Sequence, residues 1–211
     1  MSTAVIITDF EQMEIFINKL DDVVGEMYQC QSSVNHAYNH ISDWDDKIFR
    51  LTGKSLMDTG NKVEQLSAFL CRMMGILNEY CRRMNCEYAE YSDWSAEFHS
   101  RDLETQIHLE DEQMRRAILG TTAEGIKSFE NELEKYIDNT SANINKVTQA
   151  LDEVRNYWKD DNFRTTEDRI LTFRNDMRGN LSDLENLHTW IVSRRIKFEE
   201  NENIIRSIHN A

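Results

Sequence analysis

An all-α fold is what this sequence predicts, and three features carry that expectation. The 211 residues contain no proline and only 7 glycines, against roughly 5% and 7% in average proteins, so few turns can be built. Apolar residues recur at alternating steps of three and four over stretches far longer than a strand. The whole pattern then occurs a second time, with Trp158 standing where Trp44 stood in the first copy. Sandwiches, barrels and doubly wound sheets need a turn about every ten residues and do not fit.

The first element is predicted from Thr8 or Asp9 as N-cap, with Glu11 in the first turn where the helix dipole favours a carboxylate. Its seam is Met13, Phe16, Leu20, Val23, Met27, Cys30, Val34, Ala37, Ile41 and Trp44, and it stops near Ser42 and Asp43. A second helix is expected from about Asp46 to Phe98. It is marked every seven residues by Phe49, Leu56, Val63, Leu70, Leu77, Met84 and Tyr91, with Leu66, Met73 and Tyr80 in support. Gly53 and Gly60 are expected to loosen its first turns.

The third helix is expected to start at Thr121 or Thr122. Its seam is Ile126, Phe129, Leu133, Ile137, Thr140, Ile144, Val147, Leu151, Val154 and Trp158, with a four-four step around Leu133. The fourth follows through Phe163, Ile170, Met177, Leu184, Ile191, Phe198 and Ile205. Residues 1–98 thus form one helical hairpin and 122–211 another. The segment 99–121, with Leu103, Ile107, Met114 and Ile118, is read as a connecting helix packed on the bundle.

Each bend carries the same residues: Trp44, Asp46 and Phe49 in the first, Trp158, Asp160 and Phe163 in the second. The offset that superposes these triplets also superposes the seven-residue series through Tyr91 and Ile205, which marks an internal repeat. A Trp closing a seam buries a large apolar area where two helices part and so fixes the bend angle. An Asp two residues later can cap the next helix by accepting from its unpaired N–H groups. Packing is preferred here over a partner-docking role for each Trp.

Antiparallel helices joined at such a bend resemble the Trp-x-Gly family of small proteins exported by type VII secretion systems, in its variants with Asp in place of Gly. Trp44 with Asp46 and Trp158 with Asp160 carry the resemblance. The family's export signal is spelled by Tyr157-x-x-x-Asp161, which lies at the second bend and not beyond a hairpin's second helix. The resemblance implies a fused dimer: two hairpins in one chain making a four-helix bundle. The connecting segment of about 22 residues spans roughly 33 Å as a helix, enough to return along the bundle, whereas parallel hairpins would need only a short loop, so an antiparallel pseudo-dimer with the Trp bends at opposite ends is expected. The resemblance also implies a helical partner, a toxin or a secretion component, with homo-oligomerisation left open.

Charge narrows the remaining classes. With 38 acidic and 24 basic side chains the net charge is −14, which disfavours nucleic acid and anionic lipid as partners. Met1 to Phe10 lack a basic flank and a long apolar run, and no stretch nears the ~18 apolar residues of a membrane span. A cytoplasmic protein is expected, with export lacking a cleavable signal left open. Cys30, Cys71, Cys81 and Cys86 are irregularly spaced and read as reduced thiols.

Candidate chemistry is sparse. His36 and His40 share a helix face but need further ligands to hold a metal. Glu185 and His188 have a di-iron spacing without a second copy. Asp43, Asp45, Asp46, Asp160 and Asp161 lack the calcium-loop pattern, and helix capping accounts for them better. No catalytic residue, cofactor or metal is expected. The chain is read as a non-enzymatic helical interaction module of the type VII secretion kind, the alternative being a cytosolic coiled-coil adaptor unrelated to secretion.

Overall fold

The computed structural model describes residues 6–41, 44–88, 94–107, 109 and 118–209, with backbone alone for 85–88, 118, 119 and 209. Tyr91, Asp43 and Met114, and the side chains of Cys86 and Ile118, lie outside the described residues. Four helices result: α1 (Phe10–His40), α2 (Lys47–Tyr88), α3 (Ala123–Val154) and α4 (Asp161–His209). Asp9 caps α1 from extended backbone, its carboxylate accepting from the Gln12 N–H. Thr122 caps α3 in the same way, accepting from the Gly125 N–H at 3.1 Å. An unpaired N–H group of each first turn is thereby satisfied.

Among the described residues α1 packs on α2 and α3, and α4 packs on α2 and α3, with no packing across the diagonals. The protein is therefore a four-cornered antiparallel bundle. Chain direction follows from pairs across the α1/α3 face: Lys19 meets Glu153 at 2.5 Å, Glu26 meets Lys146 at 2.5 Å, and Gln31 meets Tyr136. Numbers rise on one helix as they fall on the other. Trp44 accordingly sits at one end of the bundle and Trp158 at the opposite end.

The seams read from the sequence form one continuous core. Phe16, Leu20, Leu56, Leu70, Phe129, Leu133, Leu151, Ile170, Met177 and Leu184 are all buried within it. The four-four step around Leu133 has a structural cause: Tyr136 also turns inward there, and its hydroxyl donates to Gln31 Oε1 at 2.9 Å. Gln31 Nε2 donates in turn to Asn35 Oδ1 at 3.3 Å, and Thr140 and Asn143 are buried on α3 nearby in sequence. This chain of three hydrogen-bonded polar side chains within the bundle penalises any slipped register, because a shift would leave those groups buried and unpaired.

Four expectations need correction. The connecting segment is not helical where it is described: residues 94–107 run extended along the first hairpin. Consequently residues 94–98 do not continue α2, whose span ends at Tyr88. Gly53 and Gly60 do not loosen α2, which is unbroken through both. They make room instead. A Cβ on Gly53 would lie 2.1 Å from the Tyr38 hydroxyl oxygen, and one on Gly60 would lie 2.7 Å from Thr105 Oγ1 and Gln31 Nε2. Finally, the fourth seam runs out: Ile191 is buried but Ile205 is exposed. At 49 residues α4 is about 73 Å long and outruns the 32-residue α3, about 48 Å. A strict seven-residue repeat also drifts by about 20° per heptad around a straight helix.

Two substitutions separate these roles of glycine. Gly53→Ala should destabilise by about 1–3 kcal/mol despite its better helix propensity, since the stacked Tyr38 ring must move. Gly179→Ala, with nothing within 4 Å of the new methyl, should stabilise by about 0.5–1 kcal/mol. Urea unfolding followed by circular dichroism measures both.

Candidate functional site

Both bends are built alike. At the first, Asp46 Oδ1 accepts from the Phe49 N–H at 2.8 Å, while Asp45 holds Arg50 in a bidentate pair at 2.5 and 2.6 Å. At the second, Asp160 Oδ1 accepts from the N–H groups of Asn162 (2.8 Å) and Phe163 (3.0 Å). Its Oδ2 accepts from the Trp158 indole N–H at 2.9 Å and the Ile6 N–H at 3.1 Å. Each carboxylate thus caps the helix that follows it. Trp44 and Trp158 are 1% and 2% exposed, so both act as packing wedges.

The bends are closed across hairpins. Trp44–Asp45 pairs as a short antiparallel strand, β1, with Ile118–Leu119, β2, which leads into α3. At the other end Ile7, which leads into α1, bridges Trp158: the Thr8 N–H donates to the Tyr157 carbonyl at 2.8 Å and the Lys159 N–H to the Ile6 carbonyl at 2.9 Å. The aromatic contacts cross over in the same sense. Phe49 stacks on Tyr38 at 4.3 Å and meets the edge of Phe129 from α3, and Trp158 meets Phe163 and Phe16 from α1. Neither bend is complete without the other hairpin.

One feature belongs to the first hairpin alone: the extended strap of residues 94–107. It is tied to α1 side chains through alternate residues. The Ser95 N–H and hydroxyl donate to Glu14 Oε1 at 2.7 and 2.6 Å, and the Glu97 N–H donates to Asn18 Oδ1 at 2.7 Å. The His99 N–H donates to Asp21 Oδ1 at 2.8 Å, with the His99 ring on Oδ2 at 2.8 Å and Arg101 on the same carboxylate. Two residues of extended chain rise about 6.8 Å and one helical turn about 5.4 Å. The two repeats nearly match. Further along, Leu103 and Ile107 are buried, and Asn39 Nδ2 donates to the Gln106 carbonyl at 3.0 Å.

The strap escaped the sequence reading because its apolar residues also fit a helix. A usable signal was present in the glycines. Gly25, Gly53, Gly60 and Gly75 all lie in α1 or α2, and added Cβ atoms there would meet Arg101, Leu109, Thr105 and Phe98 respectively.

Titration reflects this geometry. Burial alone would raise the Asp21 carboxyl, but the His99 hydrogen bonds and the charge of Arg101 outweigh it and hold the group below its usual value. Burial pushes the Cys81 thiol up to about 12 and the Tyr136 hydroxyl above its usual range. Cys30, Cys71 and Cys81 are free. The rings of His36 and His40 lie 3.9 Å apart on an exposed face, Glu185 is exposed and His188 half-buried. Among the described residues no three His, Cys, Asp or Glu side chains gather as a metal site would require, and no helix is long and apolar enough to cross a membrane.

What the arrangement offers is surface and shape: a rigid double hairpin, an extended arm in a groove, and apolar side chains left outside. Ile76 is 71% and Trp190 59% exposed, and Ile204, Ile205 and Ile208 project from the overhanging end of α4. The class is that of a single-chain pseudo-dimeric helical bundle. Compared with known proteins, the chain matches no family, no curated sequence and no solved structure at a significant level.

Removing the caps should cost unequal amounts. Asp46→Ala should lose about 1 kcal/mol and Asp160→Ala about 2, because the latter also releases the Trp158 indole and the Ile6 amide. Chemical denaturation of the two variants checks the order. The strap latch should show in pH. Asp21 has a lowered folded pKa, so its contribution is full above about pH 3.9 and is lost as pH falls through the folded value. Asp21→Asn should therefore be less stable than the parent at neutral pH, and the gap should close as pH falls from about 4 to 2.

Proposed function

We propose that this chain is a non-enzymatic protein-interaction module, a fused counterpart of a Trp-x-Gly dimer that serves type VII secretion as substrate, targeting partner or accessory. The reciprocal closure of the two bends is the observation that carries this reading. A dimer of hairpins leaves each subunit a choice of partner; joining them in one chain removes that choice and leaves the outer faces for recognition. Support for an outer contact comes from Trp190 and the isoleucines of the α4 overhang, since aromatic and branched apolar side chains outside the core mark docking positions. A bundle extended by one helix of a partner would cover them.

The free thiols favour the second reading, a cytosolic coiled-coil adaptor. Fractionation of the native cells decides between the two. Under the secretion reading the chain appears in the medium, or co-purifies with an exported protein, only while the secretion ATPase is active. A chain confined to the cells, with partners unchanged when that ATPase is inactivated, supports the adaptor. Trp190→Asp combined with Ile205→Asp should weaken partner binding by about 2 kcal/mol or more without loss of helix content, as read by titration calorimetry and circular dichroism.

A further inference from the structure

One row of α4 outlasts the helix it packs on. On the edge turned to α2 the Arg169 guanidinium lies 4.4 Å over the Phe69 ring, Phe173 packs against the core, and Lys62 Nζ donates to Asn180 Oδ1 at 3.2 Å. The same row passes through the half-buried Leu187 and continues as Trp190, Arg194, Lys197, Asn201, Ile204 and Ile208, in alternating steps of three and four. Helix α2 does not reach that far. Lys62 is level with Asn180, so Lys47, where α2 begins, is level with about residue 195 of its antiparallel neighbour. Trp190 stands at the margin of the cover and Ile204 and Ile208 beyond it, and all six of these side chains are exposed.

The uncovered row is apolar at its ends and polar in its middle, whichever way it is read. Laid antiparallel on its own copy about residue 199, Trp190 meets Ile208 of the second copy and Lys197 meets Asn201. The Arg194 stem covers Ile204 of the second copy while its guanidinium stays in water. Lys197 then falls beside Glu200 of the second copy, and symmetry makes that pair twice. Such self-complementarity is what a twofold contact requires, and antiparallel is the sense in which this row already packs on α2. Electrostatics permit the contact here. Two chains of net charge −14 repel one another, but residues 190–208 set Arg194, Arg195, Lys197 and Arg206 against Glu199, Glu200 and Glu202, so this end of α4 carries almost none of the acidic excess.

We propose that the free end of α4 is a homodimer contact: residues 190–208 of two copies pair antiparallel about a twofold axis, each continuing the row that α2 leaves open. This rests on the reading of the α4 end as an outer contact of an interaction module, names a second copy of this chain as what covers it, and is independent of secretion. A contact made by one helix from each chain is small for a specific interface, so the dimer forms in the micromolar range.

Sedimentation equilibrium of the full chain, from about 1 to 300 µM at physiological salt, tests this. The parent should pass from monomer to dimer within that range. Trp190→Asp combined with Ile204→Asp should leave a monomer throughout, with unchanged helix content by circular dichroism, because both side chains are exposed in the single chain. Charge reversal tests the geometry. Lys197→Glu should weaken the dimer about five-fold or more by facing Glu200 of the second copy with a like charge, and adding Glu200→Lys should restore it. A parent that stays monomeric to about 300 µM, or a dimer indifferent to the Asp substitutions, would overturn the proposal. Monomeric behaviour would leave the interaction reading itself standing, since the fractionation of native cells decides that separately.

Discussion

Reciprocal closure of the bends is the constraint on which the rest of the structure depends. Each Trp wedge is bounded on one side by its own hairpin and on the other by the segment that leads into the opposite hairpin, Ile118–Leu119 for Trp44 and Ile7 for Trp158. The two closures are related by the same approximate twofold relation as the helices. Paired backbone at both ends fixes the hairpins lengthwise, where heptad packing alone tolerates a slide of one repeat. With the ends fixed, the Gln31, Asn35 and Tyr136 hydrogen bonds fall in register at mid-bundle.

Energetically the division of labour is conventional. Long isolated helices are marginal in water, and burial of the seams supplies the stabilisation. Surface ion pairs such as Lys19–Glu153 and Lys146–Glu26 add at most about 1 kcal/mol each and chiefly mark the antiparallel direction. Carboxylates matter more where they meet backbone: Asp46 and Asp160 on the helices they cap, Glu14 and Asp21 on the strap. A chain of net charge −14 thus employs part of its acidic excess as acceptors for its own N–H groups. Function in this reading is a matter of which surfaces remain once the closures are made.

Helix seams, caps and bends were legible in the sequence because each is local. Asp9 and Thr122 stand at their caps, and Phe49 and Phe163 open their seams, for reasons contained within a few residues. The connecting segment was not legible. Leu103 and Ile107 are four apart and suit a helix, and only the tertiary partners on α1, Glu14, Asn18 and Asp21, make extended backbone the better solution there. Gly53 and Gly60 were open to misreading for the same reason: a glycine in a helix looks like weakness until the group lying on it is known. Ile205 fits the seven-residue series but lies beyond the end of α3, so periodicity indicated a buried face where, among the described residues, no helix remained to cover it.

Distances between the bundle ends test the central claim most directly. Spin labels at the exposed positions Lys47, Glu124 and Lys159, paired two at a time in double electron-electron resonance, read the arrangement of the hairpins. Closure of each bend by the opposite hairpin places Lys47 and Glu124 at one end, within about 25 Å, and separates Lys47 from Lys159 by about 45 Å, the length of a 30-residue helix. A short Lys47–Lys159 distance with a long Lys47–Glu124 distance would mean parallel hairpins and would contradict the account.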